Sequence, residues 1–170
     1  MILWSVHPKH LDHARLNTLW KAALFAREII EGRVKEYKGS ISLYRFMAHP
    51  EKVKAINTYI YYIWLEARER GYRYAVDEAL KKDLIDTEIK IPITSGQLAL
   101  EIWRLLSRIA SSNPKWISKL TLAPCFETNP VFKVVEGPPD PRERIPREAL
   151  NRLYRSFPYK GIEIPIRICV

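Results

Sequence analysis

The chain opens with Met1, Ile2, Leu3 and Trp4, then passes through His7-Pro8-Lys9 into a helical pattern that starts near Asp12. This layout sets the leading α-amine beside the first helix. Such an amine has a reference pKa of about 8, against about 10.4 for a lysine. A fair fraction of it is free base at neutral pH and able to attack a sugar aldehyde, forming an imine. Ile2 is bulky, and an initiator methionine is usually removed only before a small residue, so Met1 is expected to stay. His7, His10 and His13 recur at spacings of three nearby. They could share a helical face and imitate a metal site, but no carboxylate or cysteine completes it. A polar cluster facing phosphate suits them better, and Asp12 reads as an N-cap. Lys9, Arg15, Lys21, Arg33, Lys35 and Lys38 surround the same helix and are placed to follow a phosphate backbone.

The elements that must hold these residues are mostly helical. Leu16, Leu19, Trp20, Ala23, Leu24 and Ile30 recur at helical spacing over about Asp12 to Glu31, and Gly32 ends the run. Leu43 to Phe46 reads as a short helical turn closed by Pro50. Val53, Ile56, Ile60, Ile63, Trp64 and Ala67 make the stripe of a second long helix from about Glu51 to Arg70, broadened by Tyr59, Tyr61 and Tyr62. A short helix is expected at Asp77 to Asp83, and an extended piece at Ile89 to Ile93, where Pro92 argues against a central strand. Thr94-Ser-Gly-Gln97 resembles a capping box opening a third long helix to about Ser111. Glu101 lies on that helix's apolar stripe. It reads as a structural carboxylate paired to an arginine, with a displaced catalytic acid as the alternative. Pro114 starts a shorter helix to Leu120.

Beyond Leu122 prolines punctuate the chain. A helix is expected from Pro146 to Ser156, laced by the pairs Glu143/Arg147, Arg144/Glu148 and Glu148/Arg152. Ile162 to Ile168 alternates as an edge strand or extended arm would. The fold class expected is all-α: a compact single domain of three long helices plus short ones, with an irregular proline-rich C-terminal extension. The boundary falls between a helical domain at 1–141 and a basic extension at 142–170, a helix plus an extended arm.

Composition narrows the partner. The net charge is +9 over 170 residues, with ten basic against five acidic residues in 1–60, eight against eight in 61–110, and ten against six in 111–170. Two basic ends around a neutral middle point to a polyanion, with nucleic acid the leading class. No apolar run approaches the roughly 20 residues needed to span a bilayer, and the amino terminus is too quickly polar for a signal peptide. The reading is therefore a cytoplasmic protein without membrane, metal or cofactor. A single glutamine among many Lys, Arg, Glu, Ile and Tyr is thermophile-like usage. Cys125 and Cys169 read as two free buried thiols or as one disulfide.

Several stretches resemble one family. LWSVHPKHLD followed by LWKAALFA is similar to the opening of cellular pyrimidine-dimer DNA glycosylases, relatives of the bacteriophage enzyme called endonuclease V. YIWLEARERGYRY, TSGQLALEIWRLL and NPVFKVVEGPPDP follow in matching order, so that the resemblance covers about Met1 to Pro141. It implies an all-helical domain with its N-terminal segment threaded between helices. It also implies glycosylase and abasic-site lyase activity at UV photoproducts without metal, with base flipping. The α-amine of Met1 would attack C1′, assisted by a glutamate on the first helix. Lys21 matches a basic position of the family. Ile2 replaces an expected arginine, and Ala22 occupies the glutamate position. Glu28 cannot stand in, because six residues turn an ideal helix by about 600°, or ~240° off that face. Two functions follow. One is a repair glycosylase/lyase using Met1. The other is a non-catalytic descendant that binds DNA, or RNA, within a larger assembly such as a ribonucleoprotein.

Overall fold

The computed structural model describes residues 1–35, 37 and 39–170; Lys38, one of the expected phosphate-tracking cations, lies outside the described residues. The helices are α1 (His13–Ile30), α2 (Ile41–Met47), α3 (Lys52–Glu69), α4 (Ser95–Ser112), α5 (Pro114–Leu122) and α6 (Arg147–Asn151). Four short strands, β1 (Ile91–Thr94), β2 (Phe132–Val135), β3 (Ser156–Tyr159) and β4 (Ile162–Pro165), form two small sheets. The domain is thus mostly helical rather than all-α.

Local chemistry sets the helix ends. The Asp12 carboxylate accepts from the Arg15 backbone N–H at 3.2 Å and caps α1. Gly32 leaves that helix at φ +80°, and Gly71 leaves α3 at φ +77°, a region where a Cβ is strained. Leu16, Leu19, Trp20, Ala23, Ala26 and Ile30 of α1 pack along α3, whose Ile56, Tyr59, Ile60 and Ile63 are fully buried. Leu24 is only half-buried, at the edge of the stripe. α4 is buried on most sides, which explains why its apolar stripe spreads to Leu100 and Trp103.

Thr94 Oγ1 accepts from the Gln97 N–H at 3.1 Å, so half of the capping box forms. The Gln97 side chain does not reach back. It donates to Glu143 Oε1 at 2.8 Å and accepts from the Asp140 N–H at 2.8 Å. Gly96 makes this junction possible: its N–H donates to the Gly137 carbonyl at 2.9 Å, and a Cβ at position 96 would meet that oxygen at 2.7 Å. The start of α4 is therefore fastened to the 137–143 loop.

β1 pairs in parallel with β2, from Ile91 opposite Phe132 to Thr94 opposite Val135. A sheet of two strands leaves Pro92 a free edge, as its missing donor requires. The expected helix at 77–83 is instead two 3₁₀ turns, Asp77–Ala79 and Lys82–Leu84.

The segment beyond Pro141 is more regular than expected in one respect and less in another. Its helix spans only Arg147–Asn151, and the expected Glu/Arg pairs are replaced by longer-range ones. Arg104 Nη1 meets Glu143 at 2.7 Å and Arg152 Nη2 meets Glu163 at 2.9 Å. β3 and β4 form an antiparallel hairpin through Lys160 and Gly161, both at positive φ as a type I′ turn demands. Phe157 packs edge-on against Trp103 of α4, and Ala149, Ile164 and Ile166 are buried in the common core. Of the two cysteine readings, the disulfide is the one found: Cys125 and Cys169 are bonded with their Cα atoms 5.1 Å apart. Among the described residues no helix is long and apolar enough to cross a membrane.

Candidate active site around Met1

The N-terminal segment is threaded through the core, with Leu3, Trp4, Ser5 and Val6 all buried. Several of its polar groups meet partners from distant elements. Leu3 N–H donates to Ser42 Oγ at 3.1 Å, and the Leu3 carbonyl accepts from Arg45 at 2.8 Å. The Trp4 carbonyl accepts from the Tyr59 hydroxyl at 2.6 Å, and burial holds that phenol well above its usual pKa. Ser5 N–H and Oγ–H both donate to Glu101 Oε2, while Arg45 Nη1 bonds Glu101 Oε1 at 2.9 Å. Glu101 is thus a structural carboxylate paired to an arginine. On the outer side, the Ser5 carbonyl accepts from Asn129 and the His7 N–H donates to Glu127, each at 2.7 Å.

This anchoring leaves Met1 as a wall of two cavities. One, of about 710 Å³, is lined by Met1, Trp4, Arg15, Ala22, Arg108 and neighbours. The other, of about 190 Å³, is lined by Met1, Ser42, Gln97, Glu101, Arg104 and Glu143 among others. The two differ in chemistry. No carboxylate is among the described residues of the larger cavity. Its Arg15 is committed to Asp12 at 2.9 Å, to the Arg108 carbonyl and to the Ser112 hydroxyl. Arg108 is exposed, its guanidinium 6.0 Å from the Trp4 ring centre. The smaller cavity holds two carboxylates, both occupied: Glu101 by Ser5 and Arg45, Glu143 by Gln97 and Arg104.

Residues 1–79 match the model of the pyrimidine dimer DNA glycosylase family. No curated protein and no solved structure matches the chain. The glycosylase match takes in the threaded segment, Met1, Lys21 and Ala22, and ends before α4, so that Glu101 and Arg108 lie outside it.

The other expected contacts divide by place. Lys21 is exposed on α1 next to Ala22, and Lys35 is exposed beyond the far end of that helix. Arg33 sits there too, 3.6 Å from Glu28 and 3.3 Å from Glu31, which places Glu28 in a surface pair away from Met1's cavities. Lys9 pairs with Glu127 at 2.7 Å, and this bond holds the Glu127 carboxyl below its usual range. His7 is half-buried, with its Nδ1 accepting from the Lys9 N–H at 3.0 Å; burial and the Lys9 charge lower its pKa. His10 corrects the expectation. It is 3% exposed, and its Nε2 accepts from the Glu127 N–H at 3.0 Å. Burial lowers its pKa to about 4, so it is a neutral core residue and offers no surface to a phosphate. His13 is exposed against the Tyr72 ring, and the described residues include no group of three metal-ligating side chains. Arg108, Arg104 and Glu143 were not legible as site residues, because only the packing of α4 against the N-terminal segment and the 137–143 loop brings them to Met1.

Proposed function

We propose that the protein binds DNA through the face carrying Met1, Arg15, Lys21 and Arg108, on a scaffold of the pyrimidine dimer glycosylase type, and that base excision is lost or severely reduced. In this reading the Met1 α-amine has the role of nucleophile, vestigial or surviving. The observation that carries this reading is the shared cavity: Met1 and Ala22 line it together, and its described lining contains no carboxylate. A methyl group cannot balance an oxocarbenium or imine charge, nor accept a proton. General acid–base assistance accounts for about 10²–10⁴-fold in rate, so its loss leaves binding with little chemistry. The cations along α1 support the binding half. His13 to Ile30 is a helix of 18 residues, about 27 Å long at 1.5 Å per residue, with Arg15, Lys21 and Arg33 spread along or just past it.

The test uses duplexes with and without one cyclobutane pyrimidine dimer. Binding should weaken steeply with salt, the slope of log K against log[salt] scaling with the phosphates neutralised. No free base should be released. Efficient excision of the dimer, or binding insensitive to salt, overturns the reading.

A second reading has its own support: Arg144, Arg147, Arg155, Lys160 and Arg167 are all exposed in the 142–170 segment. They suit a component of a larger nucleoprotein assembly. Competition between duplex DNA and structured RNA for the same protein separates the two.

A further inference from the structure

We infer that a third cleft, apart from Met1, binds a guanine nucleotide. The cleft measures about 720 Å³, within the range of small-molecule sites, and lies where the end of α3 and the turn after it meet α5. It shares no lining residue with either cavity at Met1, so its occupancy does not depend on the DNA-binding face described above. The ligand class is a guanine base carrying a phosphate, either free or as an unpaired residue of a strand.

One wall of the cleft is an aromatic platform built round Arg70. Its guanidinium lies over two rings, 5.5 Å from the Trp116 centre and 5.9 Å from the Tyr72 centre. It is fixed there: Nε donates to Glu66 at 2.9 Å, and Nη2 to the Pro8 and Lys9 carbonyls at 3.1 and 3.2 Å. Trp116 is held as well, its Nε1 donating to the His10 carbonyl at 2.9 Å. Immobilised rings and guanidinium planes are the surfaces on which unpaired bases stack. One donor of the platform is left over. Nη1 of Arg70 is buried without a hydrogen-bond partner among the described residues, a state that most buried donors avoid.

Two charged groups at the cleft are uncommitted and set the chemistry of its ligand. Glu69 is exposed and has no ion pair among the described residues. Its carboxylate only accepts, through two oxygens. Guanine presents N1–H and an N2 amino group side by side and can fill both. Adenine and cytosine offer a single amino group there, and uracil a single N–H. Lys119 is the second group. It is exposed, its ammonium stands 4.5 Å from the Trp116 ring centre, and no carboxylate among the described residues pairs with it. A base that takes its place on the ring leaves this ammonium free to meet the phosphate. The remaining charges are already paired, Lys9 with Glu127 at 2.7 Å and Glu66 with Arg70. A cationic guest is disfavoured, because Arg70 and Lys119 already cover the Trp116 ring.

The experiment titrates the full chain with GMP, AMP, CMP, UMP and guanosine, followed by heteronuclear NMR in which the Trp116 indole N–H reports on the cleft. GMP should bind about tenfold tighter than the other three nucleotides and about fivefold tighter than guanosine. Glu69→Gln should weaken GMP by about tenfold and leave AMP within about twofold. Lys119→Ala should bring GMP down to the affinity of guanosine and leave guanosine unchanged. Both side chains are exposed, so the variants keep the fold. A single-stranded thymidine pentamer with one central guanine distinguishes the two sources: displacement of GMP by less pentamer than GMP assigns the site to a strand, and by more assigns it to the free nucleotide. A fully paired duplex should leave GMP in place, whatever its own affinity for the protein. Equal binding of the four nucleotides, no shift at about 5 mM GMP, indifference to both substitutions, or displacement of GMP by the duplex overturns the inference. The DNA-binding reading stands or falls separately, on the salt dependence of duplex binding.

Discussion

Ser5 directs both its backbone N–H and its hydroxyl at one oxygen of Glu101, 96 residues away in sequence, while Arg45 holds the other oxygen. The carboxylate is buried and so is Ser5. Removing one partner of a buried pair strands the other charge, at about 3–5 kcal/mol. Glu101→Ala should therefore lower stability by about 3 kcal/mol, and Glu101→Gln by less, since an amide oxygen still accepts from Ser5. Urea unfolding of the three proteins checks this; a loss below about 1 kcal/mol for the alanine variant refutes the anchoring role.

His10 makes folding sensitive to acid. Its pKa falls from 6.5 to about 4 in the folded protein, first through burial and then through the Lys9 charge. The unfolded chain therefore binds the extra proton between those values. Stability is fully present above pH 6.5, falls as the pH drops through the window, and levels off below about pH 4. The whole effect is about 3 kcal/mol at 1.36 kcal/mol per pKa unit. In His10→Gln the side-chain oxygen can replace Nε2 as acceptor, and the denaturation midpoint measured from pH 7.5 to 4 should lose most of this slope.

The Cys125–Cys169 bond closes a loop of 44 residues. Loss of such a cross-link costs about 2–4 kcal/mol, mainly through the freedom it returns to the unfolded chain. Thermal unfolding with and without reductant should show this difference. A Cys125→Ser/Cys169→Ser double variant should match the reduced protein and be indifferent to reductant.

Gly96 tests the junction between α4 and the 137–143 loop. A methyl group there meets the Gly137 carbonyl at 2.7 Å and Pro139 Cδ at 2.8 Å, so backbone has to move. Gly96→Ala should cost about 1–3 kcal/mol, as overpacking does. Hydrogen exchange should quicken at the Asp140 amide, which is bonded to Gln97.

The long helices were readable because their signals are local. Apolar spacing drew α1, α3 and α4, and Asp12, Gly32, Gly71 and Thr94 marked their ends. The sheets were not, because strands of four residues carry little periodicity and β1 finds its partner about 40 residues on. The same distance effect misled the ion pairs of the C-terminal segment. Glu143 has Arg147 one helical turn away in sequence, yet it pairs with Arg104, because the helix begins only at Arg147. His10 sat among polar neighbours and gave no sign of burial, while Arg108 gave no sign of its cavity. Met1 and Ala22, by contrast, were paired from sequence through the resemblance and do line one cavity.

The threading of Leu3 to Ser5 also bears on when the cavity comes into being. Its fastenings reach 42, 55 and 96 residues along the chain, to Arg45, Tyr59 and Glu101. Contacts of such high order close late, after the helices that supply them have docked. A half-folded chain therefore lacks this cavity, and the fragment 1–79, cut loose from α4, should carry Met1 without the wall that Arg108 and Ser112 supply.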